Sequence, residues 1–479
     1  MIQDVYVSDL HLGAPNSLLS NVTDTGVVPG TPSPVLHALG GALRSLMAQQ
    51  EDPPRLVLGG DIFELALTPT HCAFDTFGDF IRVMFDDPVF SPELHYVAGN
   101  HDHHLWELAR QHQYTEYIDG FDRDAPLRND WHVTHLLPEN DRFPHGDVTV
   151  TAAARRACPT AGITVRHTYP NLGFVGEVGT VVYHHGHYTE RIYRAVEWLD
   201  QIFEPSRPEA QRAWHIEADN YAWVDFLWST LGRSGDAGGD VGALYEMLQS
   251  EAAIEAVVDR VLDTIIVRDK PTWRRRIGNW MLRLGTKLAV HEGLRLERHR
   301  GGSAPLSKDA ERGMHDYLRV AVATQLADET GHPDHPLTFV FGHTHKPFAS
   351  QIDVDGIDHP VDVFNTGGWV IDSVEPAPLQ GASLVVGDRH GHVAAIEVYQ
   401  QAQGHNLSVT SVSPQAAGFV GEIERRIETH RPVWDVLEST IADEIMQRRR
   451  QLARRIVVDT NRVKGIEPKI APSASERRP

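Results

Sequence analysis

Cysteine is nearly missing from this chain of 479 residues: Cys72 and Cys158 stand far apart, in neither a CxxC nor a zinc-finger spacing. That scarcity excludes a disulfide framework and a thiolate metal site, and leaves two buried or half-buried thiols. No apolar run reaches the ~18 residues of a membrane span, and the N-terminus enters a strand pattern with no basic and apolar leader before it. A cytoplasmic, reducing location is the expectation. Repeats at solenoid or propeller periods are absent, and no residue type dominates before the polar stretch 465–479.

Positive charge is short as well. With 44 Lys and Arg against 65 Asp and Glu, the formal net charge of −21 sets a repulsive field against nucleic acid and anionic lipid. What abounds is histidine, 28 residues, so a single histidine means little and spacing carries the information. A hydrophobic content of 41% suffices for one large domain with insertions or for two to three ordinary domains.

Short apolar, β-branched runs at 5–7, 55–58, 94–98, 180–183 and 338–341, each bounded by turn residues, read as buried strands. Between the first two, Ser33 and Pro34 precede Val35, Leu36, Leu39, Leu43, Leu46 and Met47, the pattern of an amphipathic helix with a serine cap and proline at its first position. Alternating strand and helix predicts an α/β core. From residue 188 to about 330 the texture turns helical, beginning with Ile192, Ala195, Val196, Leu199 and Ile202 on one face. Six of the ten tryptophans (Trp198, Trp214, Trp223, Trp228, Trp273 and Trp280) fall there, with a glycine-rich break at 232–242. The spacing predicts a helical cap inserted between core strands. Strand character returns at 361–364, 383–386 and 392–399, and helical periodicity at 416–456, where Arg448, Arg449, Arg450, Arg454 and Arg455 read as a solvated helix end. The expected division is a core in two parts, 1–187 and 331–400, a cap at 188–330, a helical extension at 401–464 and a disordered tail at 465–479.

Metal-type ligands gather at the ends of the proposed strands: Asp9 and His11 in SDLH, Asp61 in GGDIFE, Asn100, His101 and Asp102 in GNHD, His185 and His187 in HHGH, His343 and His345 in GHTH. Open α/β sheets collect ligands outside the carboxyl ends of their strands, so all five segments are expected on one rim. Oxygen and imidazole donors without thiolate suit ions of the Mn, Fe or Zn class, and one carboxylate can bridge two of them ~3.5–4 Å apart, as hydrolytic two-metal sites require. Asp61 is the natural bridge.

In this order, D-x-H, G-D, G-N-H-D, H and G-H-x-H resemble the calcineurin-like metallophosphoesterases, over roughly residues 1–187 and 331–400. The resemblance implies a β-sandwich flanked by helices, a four-layer αββα core to which the cap and the C-terminal helices are added. It implies two divalent cations, manganese favoured, one held by Asp9, His11 and His345, the other by Asn100, His185 and His343, with Asp61 shared. It also implies that a hydroxide bridging the metals attacks phosphorus, that His101 protonates the leaving oxygen or steadies the transition state, and that Asp102 orients the His101 ring. The family's ligand in the HHGH segment precedes the glycine, which selects His185, places His184 in the strand and leaves His187 to contact substrate. GDIFE and GHTHKP are similar to the UDP-2,3-diacylglucosamine pyrophosphatase branch. That branch carries Arg where His101 stands and has its insertion elsewhere, so its substrate is not transferred.

Weaker signals surround these motifs. Glu64 reads either as a loop carboxylate or as a group that positions a ligand, and His103 and His104 as surface or cap histidines opening a helix. Arg191 and Arg194, one turn apart, suit a bidentate phosphate clamp or a solvated helix face. The stretch 271–300 carries eight Lys or Arg against Glu292 and Glu297, interleaved with Trp273, Ile277, Trp280, Met281, Leu282 and Leu284. It suits an anionic or lipid-linked substrate, a peripheral membrane contact, or the outer face of a cap helix. The function expected is a metal-dependent phosphoric ester hydrolase acting on a phosphodiester or pyrophosphate in a small-molecule or lipid-linked substrate, because an acid at His101 suits a poor leaving group. A phosphomonoesterase, a nuclease and a catalytically silent scaffold are the alternatives; oligomeric state is left open.

Overall fold

The computed structural model describes residues 1–24, 26–120, 125–126, 135–140, 148–197, 210–230, 304–332, 334–402 and 407–464. Its first part alternates strands β1 (Ile2–Val7), β2 (Val22–Thr23), β3 (Gly26–Val27), β4 (Arg55–Leu58) and β5 (Glu93–Val97) with helices α1 (Pro34–Met47), α2 (Thr70–Phe85) and α3 (His103–Gly120). Helix α4 (Val148–Ala157) leads into β6 (Thr164–Thr168), β7 (Asn171–Val175) and β8 (Thr180–His184). The start of α1 follows the sequence closely: the Ser33 hydroxyl accepts the Leu36 N–H at 3.0 Å, Pro34 opens the first turn, and Val35, Leu36, Leu39, Leu43 and Leu46 are buried.

After β8 the chain makes 3-10 turns at His187–Thr189 and Arg191–Arg194, then helix α5 (Ala213–Val224), which widens into a π turn at Asp225–Ser229. Helix α6 (Lys308–Tyr317) passes through a second π turn, Leu318–Val322, into α7 (Ala323–Glu329). The expected helical texture therefore holds for the described part of 188–330. Ile192 lies in a 3-10 turn and is 42% exposed instead of opening an apolar helix face. Leu199, Ile202, Trp198, Trp273, Trp280 and the whole basic stretch 271–300 fall outside the described residues, as does the tail 465–479. Helix α5 docks on α3 through a buried ion pair between Arg110 and Glu217, whose carboxylate also accepts the Trp106 indole N–H at 3.3 Å.

Strands β9 (Leu337–Phe341), β10 (Phe348–Ile352), β11 (Val361–Asn365), β12 (Gly381–Asp388), β13 (Val393–Gln400) and β14 (Ser408–Thr410) complete the sheets. One large sheet is seven-stranded, ordered β14-β13-β12-β1-β4-β5-β6, the other large one five-stranded, ordered β10-β11-β9-β8-β7, and β2 pairs with β3 in a separate two-stranded ribbon. The two large sheets are mixed: β1, β4, β5 and β6 run parallel with β12 antiparallel to β1, and β8, β9 and β11 run parallel between antiparallel edges. Alternate residues face opposite ways along a strand. Tyr6, Val57, Val97 and Val385 therefore meet Leu172, Tyr183, Val340 and Phe364 of the other sheet in one buried cluster, with Tyr6 stacked on Tyr183 at 5.0 Å. Val5, Val7, Leu56, Leu58 and Leu94 point the other way, into a cluster with Leu36, Leu39 and Leu43 of α1 and Phe77 and Ile81 of α2.

The periodicity at 416–456 resolves into two helices, α8 (Ala417–Thr429) and α9 (Arg431–Lys464). They separate at His430 because Pro432 lacks an N–H and its ring clashes with a preceding helical carbonyl. Trp434, Leu437 and Ile441 of α9 join the core cluster with α1. Arg448, expected in solvent, is 1% exposed, because the helix lies against the molecule along this length. Among the described residues, no helix is long and apolar enough to cross a membrane.

Candidate metal centre

Parallel strands end on the same side. The segments after β1, β4, β5, β8 and β9 consequently meet at one rim, and there the backbone is bent in a distinctive way. Asp9, His11, Asp61, His343 and His345 have φ of 53°, 45°, 50°, 71° and 56°, and among the described residues no other non-glycine has positive φ. The left-handed region costs an L-residue roughly 1–2 kcal/mol, so five such residues persist only where surrounding bonds fix them. Those bonds are present. The N–H groups of Asp9, His11 and Leu12 donate to the carbonyls of Gly60, Asp61 and Ile62 at 2.9, 2.8 and 2.8 Å, lacing two ligand loops together. The His343 N–H donates to both Asp9 carboxylate oxygens at 3.0 Å, and the His101 N–H donates to Asp61 Oδ1 at 2.7 Å.

Three groups of three potential ligands result among the described residues: one is His11 with Glu64 and His101, and the other two lie around Asp9 and around Asp61. In the first of those two, ligand atoms of Asp9, His11 and His345 lie within 4.8 Å of one another. His345 Nε2 is 3.4 Å from Asp9 Oδ1, while its Nδ1 is anchored 2.5 Å from Asp372 Oδ2. His11 Nδ1 is anchored 2.9 Å from Glu64 Oε2; its Nε2 is buried without a hydrogen-bond partner, 3.8 Å from Asp61 Oδ2. In the second group, Asp61, His185 and His343 are equally close. His185 Nε2 lies 3.3 Å from Asp61 Oδ2 and 3.2 Å from Asn100 Oδ1, with Nδ1 3.1 Å from the Gly59 carbonyl. All seven expected ligand residues thus come together with Asp61 in the middle. In His11, His185 and His345, Nδ1 is occupied and Nε2 faces the carboxylates, the arrangement that fixes tautomer and ring orientation in metal sites.

The electrostatics agree with that donor set. Burial alone would raise the Asp61 pKa, but the His185, His101 and His11 rings outweigh it and hold the carboxyl well below its usual range. Burial would likewise lower His185, and Asp61 overcomes this to bring the ring to about 9. His345 is driven well above its ordinary value as Asp372 prevails over desolvation. Buried carboxylates matched by imidazoles, with an orphaned lone pair on His11 Nε2, fit divalent cations of the Mn, Fe or Zn class; a thiolate-free set with this much nitrogen does not suit an all-oxygen calcium cage.

His101 stands beside the first group, its ring 4.9 Å from that of His11 and its side chain 22% exposed. Here the structure corrects one expectation. Asp102 does not orient this ring. It is fully buried and accepts N–H groups of Ile62, Phe63 and Gly99 at 2.7, 3.2 and 2.6 Å, together with the Tyr96 hydroxyl, so it ties loop to loop. The partner of His101 is Glu64, whose Oε1 lies 2.8 Å from Nδ1. Burial works against a charged His101, yet Glu64 and Asp61 lift it to about 9, and the His101 and His11 rings bring Glu64 down to about 2 against its own desolvation.

Other expected contacts are not brought to the rim. His187 is wholly buried, with Nε2 2.8 Å from the Tyr169 hydroxyl, and desolvation pushes it well below its ordinary value, so it is out of reach of substrate. Arg194 donates twice to Glu197 at 2.7 Å and Arg191 is exposed, so the pair does not form a phosphate clamp. His103 is fully buried and His104 partly so, both beside Asp225 of the π turn. Sequence reasoning missed Asp372 and Asp225. Asp372 had a faint signal, an acid directly after three buried apolar residues, Trp369, Val370 and Ile371. Comparison of the chain with protein-family models and with curated proteins finds no match.

Proposed function

We propose that this chain is a dinuclear-metal-dependent phosphoesterase acting on a phosphodiester or pyrophosphate, with the four-layer αββα core of the calcineurin-like metallophosphoesterases. The observation that carries the reading is convergence on Asp61: side chains from four other loops gather around one buried carboxylate, and three of the imidazoles are anchored through Nδ1. The fold part of the proposal is supported by α1 and α2 on the outer face of the seven-stranded sheet and by Tyr317 of α6, whose ring lies 4.7 Å from that of His184 on the outer face of the five-stranded one.

Two divalent cations of the Mn, Fe or Zn class, when bound, supply charge neutralisation at the phosphoryl oxygens and a water of lowered pKa. Asp9, His11 and His345 would hold one and Asn100, His185 and His343 the other, with Asp61 facing both. The proton chemistry falls to His101. Because Glu64 grips Nδ1, Nε2 is the atom that delivers a proton to the leaving oxygen, and the buried Glu64 charge keeps that proton on the ring. A charged acid matters most for a poor leaving group, which favours a diester or pyrophosphate. Beside the second group, the Tyr193 ring lies 5.1 Å from His343 and Trp228 lies 5.1 Å from Tyr193, an aromatic wall suited to the organic part of a small-molecule or lipid-linked phosphate. A reducing cytoplasm is the compartment this reading assigns, in keeping with the unpaired Cys72 and Cys158.

The test compares hydrolysis of nitrophenyl phosphate mono- and diesters with added Mn²⁺ in wild type, Asp61→Ala and His101→Ala. Asp61→Ala is expected to lose metal and activity together. His101→Ala is expected to keep its metal and lose about 10²–10⁴-fold in turnover. Equal rates in all three proteins refute the mechanism.

A further inference from the structure

We infer that the C-terminal helix α9 is a working part of the metal centre: through Arg448 it holds the segment 14–20, which positions Asp9, His11 and His345 but not the second group. The inference rests on the metal-site reading above and goes beyond it. Its starting point is the buried guanidinium. Trp434, Leu437 and Ile441 already dock α9 by apolar contact, so a charge buried to 1% exposure further along the helix is not needed for docking. Such a charge is tolerated only where its donors are satisfied. Arg448 Nε and Nη2 donate to the carbonyls of Ser17 and Ser20 at 3.2 and 2.6 Å, across 431 and 428 residues of chain, while Glu444 and Gln451 take further donors at 2.9 and 3.2 Å.

The segment it grips contains neither helix nor strand; it is a run of turns, closed by the Ser17 N–H on the Ala14 carbonyl at 3.2 Å and the Leu19 N–H on Ser17 Oγ at 3.1 Å, with a single bridge from Ser17 to Val370. Three threads run from it to the first group. Ser17 Oγ donates to the Leu10 carbonyl at 2.6 Å, in the peptide between Asp9 and His11. Asn16 Nδ2 donates to Asp372 Oδ1 at 3.2 Å, and the other oxygen of that carboxylate anchors His345. The Leu18 N–H donates to the Trp369 carbonyl at 2.8 Å, while the Trp369 N–H donates to the Asp9 carbonyl at 3.0 Å. In the second group, His185 is anchored next to the end of β4 on the Gly59 carbonyl, and His343 follows β9 after Gly342 alone, where its N–H holds the Asp9 carboxylate while its own backbone is set by the strand before it. Arg448 is therefore a positioning residue for one cation site of the two.

The experiment uses the full chain and Mn²⁺ alone as probe, with Mn²⁺ equivalents and affinities measured by equilibrium dialysis and thermal midpoints measured on metal-free protein. The variants are Arg448→Met, Ser17→Ala and, as a control for stability loss elsewhere on α9, Ile441→Ala. Wild type is expected to bind two equivalents. Arg448→Met and Ser17→Ala are expected to weaken one class of site by about tenfold or more and to leave the other within about twofold, the range seen when groups behind metal ligands are removed. Ile441→Ala should melt lower with both affinities kept. If Arg448→Met does not fold, Ser17→Ala, which deletes one hydroxyl, decides alone. Two unchanged affinities in the variants, or a parallel loss of both, overturn the inference while leaving the metal reading in place. A wild type that binds no Mn²⁺ overturns both.

Discussion

The two groups of potential ligands lie on either side of Asp61, whose Oδ2 is 3.8 Å from His11 Nε2 and 3.3 Å from His185 Nε2, yet they are built differently. Behind the first stand carboxylates: Glu64 on His11 and Asp372 on His345. Behind His185 in the second stands a neutral peptide carbonyl, that of Gly59. Both kinds of support fix a ring and its tautomer, but a carboxylate also adds charge and raises ligand basicity. The first group is thus the more anionic, and it depends on acids that are remote in sequence from the rings they hold. The second is tied to the ends of β4 and β9 and to the sheets that carry them. On the proposed reading, one centre combines a site supported by side chains behind its ligands with a site whose geometry comes from the backbone itself.

Substitutions should separate these designs. The largest effect is expected at the shared residue: Asp61→Ala should lose both cations and at least about a thousandfold in turnover, whereas Asp9→Ala should lose one cation by metal analysis. Two cations retained in Asp61→Ala would show that the groups do not meet there. Next comes Asp372→Asn, which keeps the shape and removes the charge behind His345. First-group affinity should fall about 10–100-fold with the second unchanged, read from two-site binding isotherms. Equal weakening of both sites would erase the contrast.

How much of this was legible beforehand follows from what holds each residue. Asp9, Asp61, Asn100, His185 and His343 were readable because each follows an apolar run that makes a strand, and strand ends are where such ligands collect. Strand ends offered ten candidates, and the choice of seven among them, His185 over His187 included, came from the resemblance to the metallophosphoesterases. Glu64 was half legible: its place after GGDIF was visible, its twin bonds to His11 and His101 were not. Assigning the His101 ring to Asp102 failed because neighbours in sequence point apart where the chain turns into α3, and the carboxylate turns back to the N–H groups at 61–63. Asp372 and Arg448 acquire meaning only from partners far along the chain, which periodicity does not report. Strands β6, β7 and β10 lack a strong apolar signal; β10 has no fully buried residue.

A smaller effect sharpens the comparison further. In the metal-free protein His185 titrates at about 9, so at pH 7 it carries a proton that a cation must displace. Apparent affinity of the second group should therefore rise about tenfold per pH unit from 7 to 9 and level off above, with one proton released per cation in buffer-dependent calorimetry. His345 is also raised, by Asp372, so Asp372→Asn should flatten the slope of the first group alone. The smallest expected effect is on stability. At a hundredfold excess over its dissociation constant each cation should add about 2.7 kcal/mol to wild-type unfolding free energy, and Asp61→Ala should gain nothing.

The central claim is tested most directly by anomalous diffraction from crystals soaked in Mn²⁺. The account predicts two peaks, one on either side of the Asp61 carboxylate and about 3.5–4 Å apart, with His345 on one and His185 on the other. A single peak away from Asp61, or none at saturating Mn²⁺, would contradict it.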